Sequence, residues 1–132
     1  MILVDTSALI ALLRGDVDPS ADYLRLVIEQ DIPFALTPIV VQETLQGAQD
    51  AREWKRLRGY LSTQPSLEPE KLLECHLRAA EIFFDCRRRG LTIRNTIDCL
   101  IAQIAIEHGV PLLQNDRDFA AIARVRRLRL LP

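Results

Sequence analysis

Ile2-Leu3-Val4, Asp5-Thr6-Ser7 and Ala8-Leu9-Ile10-Ala11-Leu12-Leu13 follow one another without a break near the start of the chain. The first three residues are β-prone and apolar without alternation, as in a strand covered on both faces, which predicts a central place in a sheet. Asp5, Thr6 and Ser7 supply cap side chains for a helix over residues 7–13 that Gly15 closes, and the helix's nearly unbroken apolarity predicts burial. A strand that feeds straight into a helix is the opening half of a parallel βα unit.

The alternation continues. Asp18 and Pro19 open a helix to about residue 30, and residues 32–36 form an edge-like strand because Pro33 cannot donate to a ladder. Thr37 and Pro38 start a helix that carries Glu43 and ends near Gly47, and a charged helix follows over residues 50–61. Residues 62–69 read as a linker. A long helix is predicted over residues 69–89 with Gly90 as its left-handed stop, then an almost wholly apolar, buried helix over residues 96–107. A strand over residues 110–113, a short helix over 118–123 and a last strand over 128–131 complete the pattern. The fold class is therefore α/β, one domain over residues 1–132, with a mainly parallel central sheet and helices on both faces.

In such a sheet the ligand site lies beyond the carboxyl ends of the strands. Asp5 and Asp116 each follow a strand immediately in this reading, and Glu43 and Asp98 come in or near the first turns of helices facing the same edge. Singly, each acid has a plain explanation as a cap, a first-turn residue or a solvated helix residue. All four nevertheless adjoin apolar segments, and no Lys or Arg stands within three residues of Asp5, Glu43 or Asp98. Half-buried carboxylates need a partner, and a divalent cation bound by oxygen ligands serves all four, which points to a metal-dependent enzyme acting on phosphate.

The composition, 48% hydrophobic and 27% charged with a net charge of −1, is that of a globular domain. No apolar stretch approaches the roughly 18 residues of a transmembrane helix, and the first 13 residues lack the basic start of a signal peptide, so a cytoplasmic location is expected. Cys75, Cys86 and Cys99 are odd in number and lack metal-site spacing with His76 and His108; they read as reduced thiols without a role. Lys55 and Lys71 are the only lysines. Arginines cluster at residues 52–58, 87–89 and 124–129, and only placement around the acidic pocket would turn these solvated faces into phosphate contacts.

Val4-Asp5-Thr6-Ser7-Ala8-Leu9-Ile10, Val41-Gln42-Glu43, Asp98-Cys99-Leu100-Ile101-Ala102 and Asn115-Asp116-Arg117-Asp118-Phe119 occur in that order. Arg89-Gly90 precedes the third, and His108-Gly109-Val110-Pro111 precedes the fourth. Over nearly the whole chain this resembles the PIN domain, specifically the VapC-type toxins. The resemblance implies an endoribonuclease that uses Mg²⁺ or Mn²⁺, forms a homodimer and is neutralised by a cognate VapB-like antitoxin. It places the family's acidic quartet on Asp5, Glu43, Asp98 and Asp116, with Thr6 or Ser7 supporting the first acid by hydrogen bonding. Asn115 stands where the family often has Thr and keeps an amide for polar contact; Asp118 matches a commonly acidic position, as a cap or outer residue.

Attack on a phosphodiester is opposed by its negative charge, which one or two cations offset while acidifying a water; no His or Lys is placed to act as general base. A phosphoacceptor receiver domain would need a strand-end Lys, and a haloacid-dehalogenase-type phosphatase would need two acids around one residue where Asp5-Thr6-Ser7 stands. The alternative is a PIN nuclease that is not a toxin, or a PIN-like binding module that does not cleave.

Overall fold

The computed structural model describes all 132 residues. Strand β1 (Ile2–Val4) runs into helix α1 (Thr6–Leu13), followed by α2 (Pro19–Glu29), β2 (Phe34–Ala35), α3 (Pro38–Gln46) and α4 (Ala51–Leu61). The second half comprises α5 (Leu72–Arg88), α6 (Ile97–His108), β3 (Leu112–Leu113), α7 (Asp118–Ala123) and β4 (Leu130–Leu131). The four strands form one parallel sheet in the order β2-β1-β3-β4, with Leu3 opposite both Ala35 and Leu112. The central position predicted for the first strand holds. Order reverses about β1, and the helices pack in two groups, α1–α4 and α5–α7. The helix contacts divide the same way: α1 meets α2 and α3, while α6 meets α5 and α7.

The strands are shorter than the sequence suggests. Strand β1 has only three residues before Asp5 turns the chain into α1, and each neighbour pairs with it over two positions; the expected strands 32–36, 110–113 and 128–131 shrink to Phe34–Ala35, Leu112–Leu113 and Leu130–Leu131. The 62–69 linker is not free of the sheet. Leu36 donates its N–H to Pro65 O at 2.9 Å and accepts from Leu67 N–H at 2.8 Å, which adds a bridge outside β2. Helix α5 begins at Leu72 rather than at residue 69. Pro69 brings no capping side chain, and the preceding Glu68 carbonyl is held at 2.8 Å by His108 Nε2 at the far end of α6.

Apolar burial is centred on Leu3, Val4, Ile82, Ile101, Ile104, Leu112, Leu113 and Phe119, each exposed by under 2%. Truncating one such residue to Ala would destabilise the fold by about 2 to 5 kcal/mol. Helix α6 is buried almost all round, as its apolarity predicts, and ends on Gly109 at φ 62°. In α1 burial is only partial. Ala8, Leu9 and Ala11 are covered, but Leu13 is half-exposed because α1 touches α2 and α3 along one side only.

Candidate active site

The reversal of strand order between β1 and β3 leaves a crevice at the carboxyl edge of the sheet, and the chain delivers acids to it from four directions. Asp5 ends β1 and caps α1: its Oδ2 accepts hydrogen bonds from Ser7 N–H at 2.9 Å and from the Ser7 hydroxyl at 2.5 Å. The same hydroxyl oxygen accepts from Asn115 N–H at 2.8 Å, so Ser7 ties the end of β1 to the loop after β3. Glu43 comes from the second turn of α3 and is held by the Thr6 hydroxyl, which donates to its Oε1 at 2.9 Å. Asp98 sits in the first turn of α6, whose Ile97 N–H is capped by Asn95 Oδ1 at 3.0 Å.

Asp116 and Asp118 frame the start of α7. Asp116 accepts from Asp118 N–H through Oδ1 at 2.9 Å, and Asp116 N–H is itself held by Gln114 Oε1. Asp118, only 3% exposed, accepts from Arg94 N–H and Asn95 N–H through Oδ2 at 2.9 and 3.0 Å, binding the loop before α6 to the start of α7. One carboxylate oxygen from each of Asp98, Asp116 and Asp118 lies within 4.8 Å of the other two. Asp116 and Asp118 also border a cavity of about 520 Å³, together with Arg94, Asn95, Asn115 and Arg117.

Burial at the centre is left uncompensated. Asp5 Oδ1 and Asp98 Oδ2 are fully covered and have no hydrogen-bond partner. Removal from water raises the Asp98 carboxyl to about 8, with repulsion from Asp5, Asp116, Asp118 and Glu43 adding to it. Burial also raises Asp5, and the Glu43 charge adds to the rise, while the Ser7 hydrogen bonds oppose it. A native fold rarely keeps two orphaned carboxylate oxygens among like charges. An all-oxygen donor set of this kind fits a hard divalent cation, which would remove both penalties at once.

The structure thus brings the predicted quartet to one edge and corrects several of its details. Asp116 lies three residues beyond β3 rather than directly after it, because Gln114 and Asn115 are taken up in fixing the loop. Thr6 supports Glu43, leaving Ser7 alone to support Asp5. Asn115 contributes its backbone N–H, and its side chain is exposed. Asp118 is an inner member of the cluster rather than an outer cap. Its spacing of two from Asp116 at a helix start was the available signal. Arg94 and Arg117, which border the cavity, were missed because neither belongs to a basic cluster.

The other sequence candidates find structural uses. Cys75, Cys86 and Cys99 are buried and unpaired, and burial pushes the Cys75 and Cys99 thiols up to about 11 and about 12. In the arginine clusters, Arg126 pairs with Glu81 and Asp85, Arg89 and Arg129 donate to backbone carbonyls, and Arg58, Arg87 and Arg88 lie over aromatic rings. A larger cavity of about 590 Å³ lies at the opposite end of α6, among Glu70, Lys71, Glu74, Arg78, Glu107 and His108, with no set of carboxylates close enough to share an ion. No helix is long and apolar enough to cross a membrane.

Residues 2–125 match the family described as PIN domain. Ribonuclease VapC11 of Mycobacterium tuberculosis is 35% identical over 130 residues, covering 98% of this chain and 96% of that protein. The fold is shared with VapBC-1 from nontypeable Haemophilus influenzae, at a TM-score of 0.71 and 21% identity over 98% of this chain and 96% of that one. FitAcB from Neisseria gonorrhoeae superposes with a TM-score of 0.70 at 19% identity, over 100% of this chain and 97% of that one.

Proposed function

The chain belongs to the PIN domain family, and from that premise we propose that it is an endoribonuclease, dependent on Mg²⁺ or Mn²⁺, that acts as the toxin of a type II toxin–antitoxin pair. The observation that carries the reading is the pair of orphaned oxygens, Asp5 Oδ1 and Asp98 Oδ2, buried among further carboxylates at the sheet edge. A cation held there would offset the charge of the attacked phosphodiester and acidify a water for the displacement. Asp5, Glu43, Asp98 and Asp116 are the proposed ligand set, and Asp118 joins it. Ser7 fixes the rotamer of Asp5, and Thr6 that of Glu43. His76 and His108 border other cavities, so the protein itself brings no imidazole to the reaction.

The partners follow from the same reading. RNA is the substrate, and a small VapB-like antitoxin made beside the toxin would neutralise it by placing a basic side chain among the carboxylates. A cytoplasmic location belongs to the proposal. So does a homodimer, for which Leu73, Leu77, Ala80 and Phe84 offer one exposed apolar stripe along α5; Leu73, Leu77 and Phe84 are 73%, 57% and 53% exposed.

The test is cleavage of RNA by the purified chain with Mg²⁺ or Mn²⁺ and in EDTA, beside Asp98→Asn. EDTA should stop cleavage, and Asp98→Asn should slow it at least about 100-fold. Expression without an antitoxin should arrest growth of the host, whereas Asp98→Asn at the same soluble level should not. Equal cleavage with and without metal would remove the metal-nuclease reading, and equal growth would remove the toxin.

A further inference from the structure

We propose that Arg94 and Arg117 form a clamp for an RNA phosphodiester at the mouth of the carboxylate cluster, an assignment that rests on the nuclease reading. Both line the 520 Å³ cavity beside Asp116 and Asp118, and both line an adjoining hollow of about 280 Å³ with Thr92. Neither guanidinium makes a hydrogen bond within the protein. Arg94 Nε stands 3.9 Å from Asp118 Oδ1, beyond hydrogen-bond reach, and the Arg94 side chain is 56% exposed. Arg117, between two acids of the cluster, is exposed as well. Arg126, by contrast, reaches Asp85 at 2.8 Å and Glu81 at 3.2 Å.

The backbone explains how two cations without side-chain hydrogen bonds come to stand together. Asp118 Oδ2 holds the main chain of Arg94 and Asn95, and Asp118 begins the helix directly after Arg117. The loop is thus fixed through main-chain N–H groups, so the Arg94 side chain is not needed to hold it. A polyanion approaching five carboxylates is repelled until cations offset them, and two guanidinium forks match phosphate oxygens in shape as well as charge. The clamp therefore gives RNA a foothold beside the acids, and it acts on binding rather than on the displacement itself.

The test uses the full chain. Fluorescence anisotropy with a short single-stranded RNA, in Mg²⁺, is read in the Asp98→Asn background with and without Arg94→Ala and Arg117→Ala, and KM and kcat are read with the Asp98 enzyme. Each alanine should weaken binding roughly tenfold and lower the slope of log K against log salt by about 0.7, with KM rising by the same factor and kcat moving less than about threefold. Arg94→Lys should recover the salt slope but only part of the affinity, and Arg52→Ala should change nothing. Melting temperatures should agree within about 2 °C, since the main-chain bonds to Asp118 persist. If the arginine variants match their respective parents in affinity, slope and KM while the chain with Asp98 intact cleaves RNA, the clamp falls and the nuclease reading stands. Arginine-dependent RNA binding in the Asp98→Asn background, without cleavage by the chain that keeps Asp98, would sink the nuclease reading and keep the arginines as an RNA-binding pair. Absence of both binding and cleavage overturns both.

Discussion

Replacing Asp98 by Asn should stabilise the metal-free protein, and by an amount that depends on pH. The Asp98 carboxyl ordinarily titrates at 3.8 and is raised to about 8 in the fold. Below pH 4 both folded and unfolded chains carry the proton, so the group contributes nothing. Between about pH 4 and pH 8 the unfolded chain ionises while the folded one does not, so stability is lost as pH rises, by up to about 1.4 kcal/mol per pH unit. Above pH 8 both are ionised and the loss levels off. The full window corresponds to about 6 kcal/mol as an upper bound, but effective dielectric constants of about 20 even at buried sites weaken such charge effects, and about 2 to 3 kcal/mol should remain. At about 4 °C per kcal/mol for a chain of this length, Asp98→Asn should melt about 10 °C above the wild type at pH 8 and within about 2 °C of it at pH 4.5. Calorimetric scans in EDTA across that range read the difference directly, and the comparison cancels other titrations common to both chains. A difference that stays flat with pH, or a variant less stable than the wild type at pH 8, would refute the buried-repulsion argument.

Four further outcomes are expected. Mg²⁺ at about 100 times its dissociation constant should stabilise the wild type by about 2.7 kcal/mol, less in Asp116→Asn, with NaCl of matched ionic strength as control; unshifted melts would exclude a shared ion. Ser7→Ala removes the donor to Asp5 and the acceptor for Asn115 N–H, and urea titration should show about 1 to 3 kcal/mol lost together with at least tenfold slower RNA cleavage. Asp118→Asn keeps an oxygen for the Arg94 and Asn95 N–H groups, so it should fold normally yet cleave at least about tenfold more slowly; wild-type rates would return Asp118 to a purely structural role. Leu77→Arg should convert a dimer to a monomer in light scattering, and a persisting dimer would move the interface away from α5.

The alternation of strands and helices was legible because Ile2–Val4 and α6 are apolar without period, a pattern that only elements covered on every side can carry. The acids were legible because they break such runs. Strand lengths were not, since pairing depends on what stands opposite, and three residues of β1 limit both neighbours. The partner of each hydroxyl was hidden for a similar reason: Thr6 and Ser7 are adjacent in sequence, yet one turns towards α3 and the other towards the loop after β3. Asp118 looked peripheral because a first-turn acid is so often only a cap. Its burial comes from the Arg94–Asn95 backbone, more than twenty residues earlier.

The bridge from Leu36 to the 65–67 segment has a consequence for recognition. An exposed parallel edge is a standing invitation to a foreign strand, which could add to it through main-chain groups with little regard for sequence. On the β2 side Leu36 already spends both its N–H and its carbonyl on Pro65 and Leu67, and Pro33 has no N–H to offer. The bridge therefore shortens the stretch of edge on which another chain could add a strand. A partner on this side then depends more on side chains than on main-chain groups, so discrimination between a matched and an unmatched partner becomes a matter of individual residues, open to exchange by a few substitutions.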